Sequence, residues 1–265
     1  MQISVAHFVD VRLQTPDSLE LHGWFLPYSN DSPVLVYCHG NAGNIEYRAY
    51  KSAILRRGLK CNVFCFDYRG FGHSSPEVNP THSGLIVDLE VVMNYLQKLV
   101  VDGKASKIWM LGHSIGGAVC CDFVAKHSEA VDLLILENTI YSLQSTALQI
   151  VPRYLKLFVP LCVPPVWRNN LRMKDITTDT IFISGQSDTL VSPEDSKKLY
   201  ELCAARHKLF ISLKDGEHNT DWAKYGFEIF EAITKFIADR DKIELNREMN
   251  KEIKKSSSSN SPALS

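Results

Sequence analysis

The stretch Met110-Leu111-Gly112-His113-Ser114-Ile115-Gly116-Gly117-Ala118 constrains this chain more than any other. An apolar run, Ile108-Trp109-Met110-Leu111, stops at a glycine, and a helical pattern resumes at Ala118-Val119-Cys120-Cys121. Between them lies G-x-S-x-G, the pattern of a sharp turn from strand to helix. Glycine is needed on both sides of the serine because side chains at 112 and 116 would collide with neighbouring backbone. Such a turn lifts the Ser114 hydroxyl clear of a sheet and sets it at a helix N-terminus. Free N–H groups and partial positive charge there favour a developing oxyanion.

A serine nucleophile needs a base, and the base needs an acid to orient it. After an elbow of this kind the acid and then the histidine follow along the chain, each in a loop beyond a later strand. Ile181-Phe182-Ile183-Ser184 runs into Gly185-Gln186-Ser187-Asp188, and Leu209-Phe210-Ile211-Ser212-Leu213 runs into Lys214-Asp215-Gly216-Glu217-His218. Asp188 and His218 therefore stand at the two expected places, whereas His73, His82, His113, His127 and His207 follow no late strand. Asp215, Glu217 and Asp221 lie close to His218 and remain alternatives for the acid. The oxyanion would be met by the backbone N–H of Ile115 and by that of Asn41, with Ala42 as the neighbouring choice, in the loop after Pro33–Cys38. Arg69 reads as a residue that holds loops by hydrogen bonds. No residue pattern calls for a cofactor or a metal.

The rest of the chain supplies the frame. Phe8–Leu13 and Leu19–Phe25 alternate apolar and polar residues around a Thr15-Pro16-Asp17-Ser18 turn, which predicts a hairpin. Pro33–Cys38, Asn62–Phe66, Ile108–Leu111, Asp132–Leu136, Ile181–Ser184 and Lys208–Leu213 are continuous apolar runs, the mark of parallel strands covered on both faces. Helical spacing appears from Glu46 to Arg57, Leu85 to Leu99, after Ser114 to His127, Pro193 to Cys203 and Tyr225 to Ile237. The alternation predicts an α/β chain with a mostly parallel, doubly wound sheet and helices on both faces.

Residues 1–240 read as one domain. Within it, the segment 139–170 is longer than a crossover helix needs and carries Leu143, Leu148, Ile150, Leu155, Phe158 and Leu161. That is too much apolar surface for an exposed loop, and Pro152 and Pro160 break it into short pieces. It is expected to form a small helical cap over Ser114. Residues 241–265, above all Asn246 to Ser265, are polar with Lys254-Lys255 and a serine run, and are expected to be disordered.

At 265 residues, 45% of them hydrophobic, the chain can bury a full core. A net charge of -1 gives no field for nucleic acid. The seven scattered cysteines match no zinc spacing and read as buried free thiols in a reducing compartment. No signal peptide or membrane-spanning run is visible, so a cytoplasmic chain is expected, with peripheral contact at membranes left open.

The motif set resembles the bud emergence protein 46-like branch of the α/β-hydrolases. It comprises His39-Gly40-Asn41-Ala42-Gly43-Asn44, Asp67-Tyr68-Arg69-Gly70-Phe71-Gly72-His73-Ser74, the elbow, Glu137-Asn138-Thr139, Ile183–Asp188 and Gly216–Trp222. The likeness runs from about Phe8 to Ile237 and implies the α/β-hydrolase fold with Ser114, Asp188 and His218 as the triad. Relatives usually carry an N-terminal membrane anchor, and a related depalmitoylating branch carries N-terminal acylated cysteines; from Met1 to His7 neither is expected. The substrate expected is a small acyl ester or thioester, or an acylated protein. A peptidase-like amide hydrolase and a non-catalytic binding scaffold are the alternatives. Oligomeric state is not legible.

Overall fold

The computed structural model describes residues 7–259, with side chains to Lys251. Eight strands form one sheet: β1 (Val9–Gln14), β2 (Glu20–Leu26), β3 (Val34–Cys38), β4 (Asn62–Phe66), β5 (Ile108–His113), β6 (Leu133–Glu137), β7 (Thr180–Gly185) and β8 (Lys208–Leu213). Their order is β1-β2-β4-β3-β5-β6-β7-β8. The β1–β2 hairpin is antiparallel and β2 meets β4 antiparallel; every pairing from β4 to β8 is parallel. Strands β3 to β7 are buried along their whole length, as their unbroken apolar runs require.

Side chains alternate between two cores, one on each face. On β3, Val34, Val36 and Cys38 join the core under α2 (His82–Val101) and α3 (Ile115–Val124), together with Leu89, Val92 and Leu96. Leu35 and Tyr37 join the core under α1 (Ile45–Gly58) and α8 (Trp222–Ser259), with Leu55, Ile229 and Ile233. The strand period of two thus divides each run between the faces. Side chains start the helices: Asn44 accepts from the N–H groups of Glu46 and Tyr47, and Thr81 from that of Gly84.

The segment expected as a cap breaks at its prolines into α4 (Leu143–Ile150), a 3₁₀ turn at Arg153–Phe158, α5 (Val159–Cys162) and α6 (Asn169–Arg172). It is pinned from both sides. Ser145 and Gln149 donate to Asp195 on α7 (Pro193–Leu202), and Arg172 reaches Asp122 on α3. Arg69 holds loops as expected: it bonds Asp88 on α2 and reaches Asp17 in the β1–β2 turn. Six cysteines are buried and Cys162 is exposed, all of them free. Among the described residues no helix is long and apolar enough to cross a membrane.

The expected disorder from 241 onward is corrected over most of that range, because α8 continues to Ser259. Residues 260–265 lie outside the described part. The reason is local. No glycine or proline follows Gly226 until Pro262, and Glu, Lys, Arg, Met and Leu dominate 242–255. A helix already nucleated by the packed turns at Ile229 and Ile233 extends at little cost through such residues. Almost all of 241–251 is nevertheless exposed. A chain cut after Leu245 should therefore keep its stability to within about 0.5 kcal/mol. Its melting point should stay within about 2 °C of the full chain's. A fall well beyond that in thermal denaturation would mean the far end of α8 packs on something.

Candidate active site

Ser114 occupies the turn between β5 and α3 with φ 56° and ψ −121°, a conformation that L residues rarely adopt. Close packing enforces it. A Cβ on Gly112 would stand 2.4 Å from the Gly117 Cα, and one on Gly116 would stand 2.2 Å from the Cys38 carbonyl oxygen. The Ser114 N–H donates to the Glu137 carbonyl at 3.0 Å, which ties the turn to the end of β6. Ser114 precedes the first residue of α3, yet its side chain caps nothing. Its hydroxyl points instead to His218, with Oγ 3.1 Å from Nε2.

His218 Nδ1 lies 2.8 Å from Asp188 Oδ2. The other Asp188 oxygen accepts from the N–H groups of Leu190 and Val191 at 2.8 and 2.9 Å. The carboxylate is therefore fixed before it meets the imidazole. With Nδ1–H donated to the acid, Nε2 is free to accept the Ser114 proton. Of the alternatives weighed from the sequence, Asp221 is spent on the N–H groups of Ala223 and Lys224 at the start of α8. Among the described residues, no hydrogen bond or ion pair joins Asp215 or Glu217 to His218.

The sequence reading missed the residues that hold the His218 loop. Asn138, in the left-handed region at φ 45°, donates to the carbonyls of Glu217 and His218 at 3.0 and 2.8 Å. Its Oδ1 accepts from the N–H of Gly185 at 2.8 Å, so one amide joins the ends of β6, β7 and β8. His113 Nε2 donates to the same His218 carbonyl at 2.9 Å. Burial holds His113 down at about 4, so it stays neutral with its proton on that nitrogen. Beneath lies a buried ion pair. Glu137 meets Lys51 of α1 and accepts from Trp222 Nε1 at 2.9 Å. Burial alone would raise the Glu137 carboxyl, but the Lys51 charge, His113 and these hydrogen bonds bring it to about 2. A glutamate ending an otherwise apolar strand was a visible signal that a buried partner must exist. Lys51, 86 residues away, carried no local mark of being that partner.

A cavity of about 540 Å³ opens beside Ser114 Oγ. Asn41, Ala42, Ile115 and His218 line it. The Asn41 N–H has no protein acceptor among the described residues, and Ile115, first in α3, has an N–H that the helix does not use. Leu143, Thr146, Ile150 and Trp167 of the 139–170 segment form one wall. Leu155 and Phe158 of the expected cap do not line the cavity and are exposed instead. Arg48, whose Nη2 donates to the Ala42 carbonyl, is the one lysine or arginine in the lining, and no carboxylate joins it among the described residues. A group with metal-ligand chemistry exists elsewhere. Asp179, His207 and Glu244 bring one atom each within 4.8 Å of one another. It sits before β7, at the opposite end of that strand from Asp188, and the Arg240 guanidinium already supplies a cation 3.7 Å from Asp179.

Residues 33–166 match the family model described as the alpha/beta hydrolase fold. The chain is 32% identical over 234 residues to the alpha/beta hydrolase domain-containing protein WAV2 of Arabidopsis thaliana, spanning 83% of this chain and 75% of that protein. It is 31% identical over 235 residues to protein bem46 of Schizosaccharomyces pombe, spanning 87% and 77%. Among solved structures it resembles the Pyrococcus furiosus esterase Pf2001, with a TM-score of 0.70 at 20% identity over 88% of this chain and 93% of that one. At that identity the likeness bears on the fold.

The buried histidines set an acid limit. His39 and His113 are each lowered by burial from 6.5 to about 4. The unfolded chain binds those protons at higher pH than the folded one does. Their contribution to stability is complete above pH 6.5 and is lost as pH falls toward 4. Within that window each histidine should cost about 1.4 kcal/mol per pH unit. Denaturant unfolding of His113→Asn across the window should show a slope shallower by about one proton. An unchanged slope would refute the neutral, buried state of His113.

Proposed function

The chain belongs to the alpha/beta hydrolase family, and on that footing we propose that it is a serine hydrolase cleaving an acyl ester or thioester through an acyl-enzyme. The observation that carries the reading is the hydrogen-bonded run from Ser114 through His218 to Asp188 at a strained turn. Ser114 Oγ attacks the acyl carbonyl carbon while His218 Nε2 takes the hydroxyl proton, and Asp188 steadies the imidazolium. The carbonyl oxygen gains the negative charge and is met by the N–H groups of Asn41 and Ile115. Collapse of the tetrahedral intermediate breaks the ester or thioester bond, and His218 returns its proton to the departing alcohol or thiol. Water, deprotonated by His218 in turn, then releases the acid and restores Ser114.

Leu143, Ile150 and Trp167 give the acyl group apolar surface beside the serine. An aminopeptidase reading finds no carboxylate in the lining, among the described residues, to hold a substrate ammonium, and Arg48 would repel one. A purely binding scaffold has no use for a serine, a histidine and an acid bonded in series.

Ser114→Ala should lose turnover on p-nitrophenyl esters by about a thousandfold or more, with the fold retained, and should lose labelling by a fluorophosphonate probe. Asp188→Asn should lose on the order of a thousandfold by leaving the histidine in the wrong tautomer, while Asp221→Asn stays near wild type. Near-normal turnover in Ser114→Ala would end this reading.

Chain length gives a second check. Burying a methylene stabilises by about 0.8 kcal/mol, so kcat/KM should rise about fourfold per added acyl carbon until the cavity is full. Thr146→Trp should end that rise at a shorter chain by filling the cavity wall. An identical profile in the variant would place the acyl group elsewhere.

A further inference from the structure

The outer surface of the 139–170 segment is unlike the rest of the molecule. Between Arg153 and Leu161 the chain exposes Tyr154 by 75%, Leu157 by 84%, Phe158 by 55% and Leu161 by 83%. Soluble proteins seldom leave so much apolar surface together without a partner for it. The charge around it has one sign. No aspartate or glutamate lies between Glu137 and Asp175, whereas Arg153, Lys156, Arg168, Arg172 and Lys174 do, although the whole chain carries a net charge of -1. Arg172 is engaged by Asp122, while Arg153 and Lys156 are exposed and make no salt bridge among the described residues.

We infer that this surface docks on an anionic lipid bilayer, with Leu157, Phe158 and Leu161 entering the headgroup boundary and Arg153 and Lys156 meeting lipid phosphate and carboxylate groups. Exposed leucine and aromatic side chains interleaved with unpaired cations are what such a surface selects. A second copy of the chain fits less well. A two-fold contact would set the same patch against itself, cation facing cation, with no carboxylate in the segment to answer. The inner side of the same segment lines the cavity beside Ser114 through Leu143, Thr146, Ile150 and Trp167. Docking would thus bring the segment that walls the cavity to the membrane, where long-chain acyl groups reside. The surface reading does not rest on the chemistry of Ser114, and Ser114→Ala should bind vesicles as the wild type does.

The test is sedimentation of the full chain with vesicles of phosphatidylcholine alone or of equal parts phosphatidylcholine and phosphatidylserine. Binding is expected to the phosphatidylserine vesicles, weakening as salt is raised. Near such a surface each cation contributes about fivefold, so Arg153→Glu with Lys156→Glu should bind at least about 25-fold more weakly. Leu157→Ser with Leu161→Ser should lose about tenfold or more. Both pairs should keep the wild-type melting point and turnover on a short soluble ester, since none of the four residues lines the cavity. Cys162, the one exposed cysteine, gives a second readout: an environment-sensitive fluorophore there should shift to the blue with phosphatidylserine vesicles. Failure of the wild type to bind these vesicles would overturn the inference. So would unchanged binding in both paired variants, or a wild-type dimer that Leu157→Ser with Leu161→Ser splits, which would assign the patch to a second copy.

Discussion

At Ser114 the backbone has nowhere else to go. The chain leaves β5, reverses within one residue and enters α3, while Gly116 presses against the Cys38 carbonyl of the neighbouring strand. That contact leaves no room for a relaxed turn, and the bond from Ser114 N–H to Glu137 closes it from the other side. A φ of 56° in a serine costs on the order of 1–3 kcal/mol, and two packed strands and a helix hold it there. The reversal frees the hydroxyl from the capping role that a serine before a helix usually takes. Everything that meets it is arranged around the direction in which it points.

The sheet order does the arranging. Because β5, β6, β7 and β8 are adjacent and parallel, their carboxyl ends deliver Ser114, Asn138, Asp188 and His218 to one end of the sheet. Distances of 2.8 and 3.1 Å along the run from acid to serine then need only loop geometry, which the Asn138 amide and the His113 ring fix through the His218 carbonyl. The Glu137–Lys51 pair sits behind this row and binds α1, which starts just after the His39–Asn44 loop, to the same strand end. A buried pair of this kind is weak evidence of stability, but with one partner removed the other would be left as an uncompensated charge.

Much of this was legible in the sequence because it is local. Alternation marked the hairpin and continuous apolar runs the other strands, and the elbow with its two later loops marked Ser114, Asp188 and His218, which the structure brings together. Asn138 was not legible as a support, since its side-chain partners Gly185, Glu217, His218 and Thr220 lie 47 to 82 residues away. The apolar residues of the 139–170 segment were counted correctly but not assigned to sides. Leu143 is half-buried in the cavity wall, whereas Leu157 and Leu161 are exposed and do not line it, a split that depends on where the proline breaks fall. The end of α8 was misread for a different reason: polarity says that a segment will not be buried, not that it will not be helical.

The hydrogen bond between His218 and Ser114 spans 104 residues, and β8 is the last strand both along the chain and across the sheet. The elbow itself needs only β3, β5, α3 and β6, all complete by Glu137. A chain leaving the ribosome can therefore shape the serine turn well before the imidazole exists to act on it. Contacts of such long separation form late, because their loop-closure entropy must be met before they contribute. The order of synthesis thus keeps Ser114 without its hydrogen bond to His218 until the final strand has docked. Asn138 reports the same moment, since its amide has no partners in the β8 loop before then.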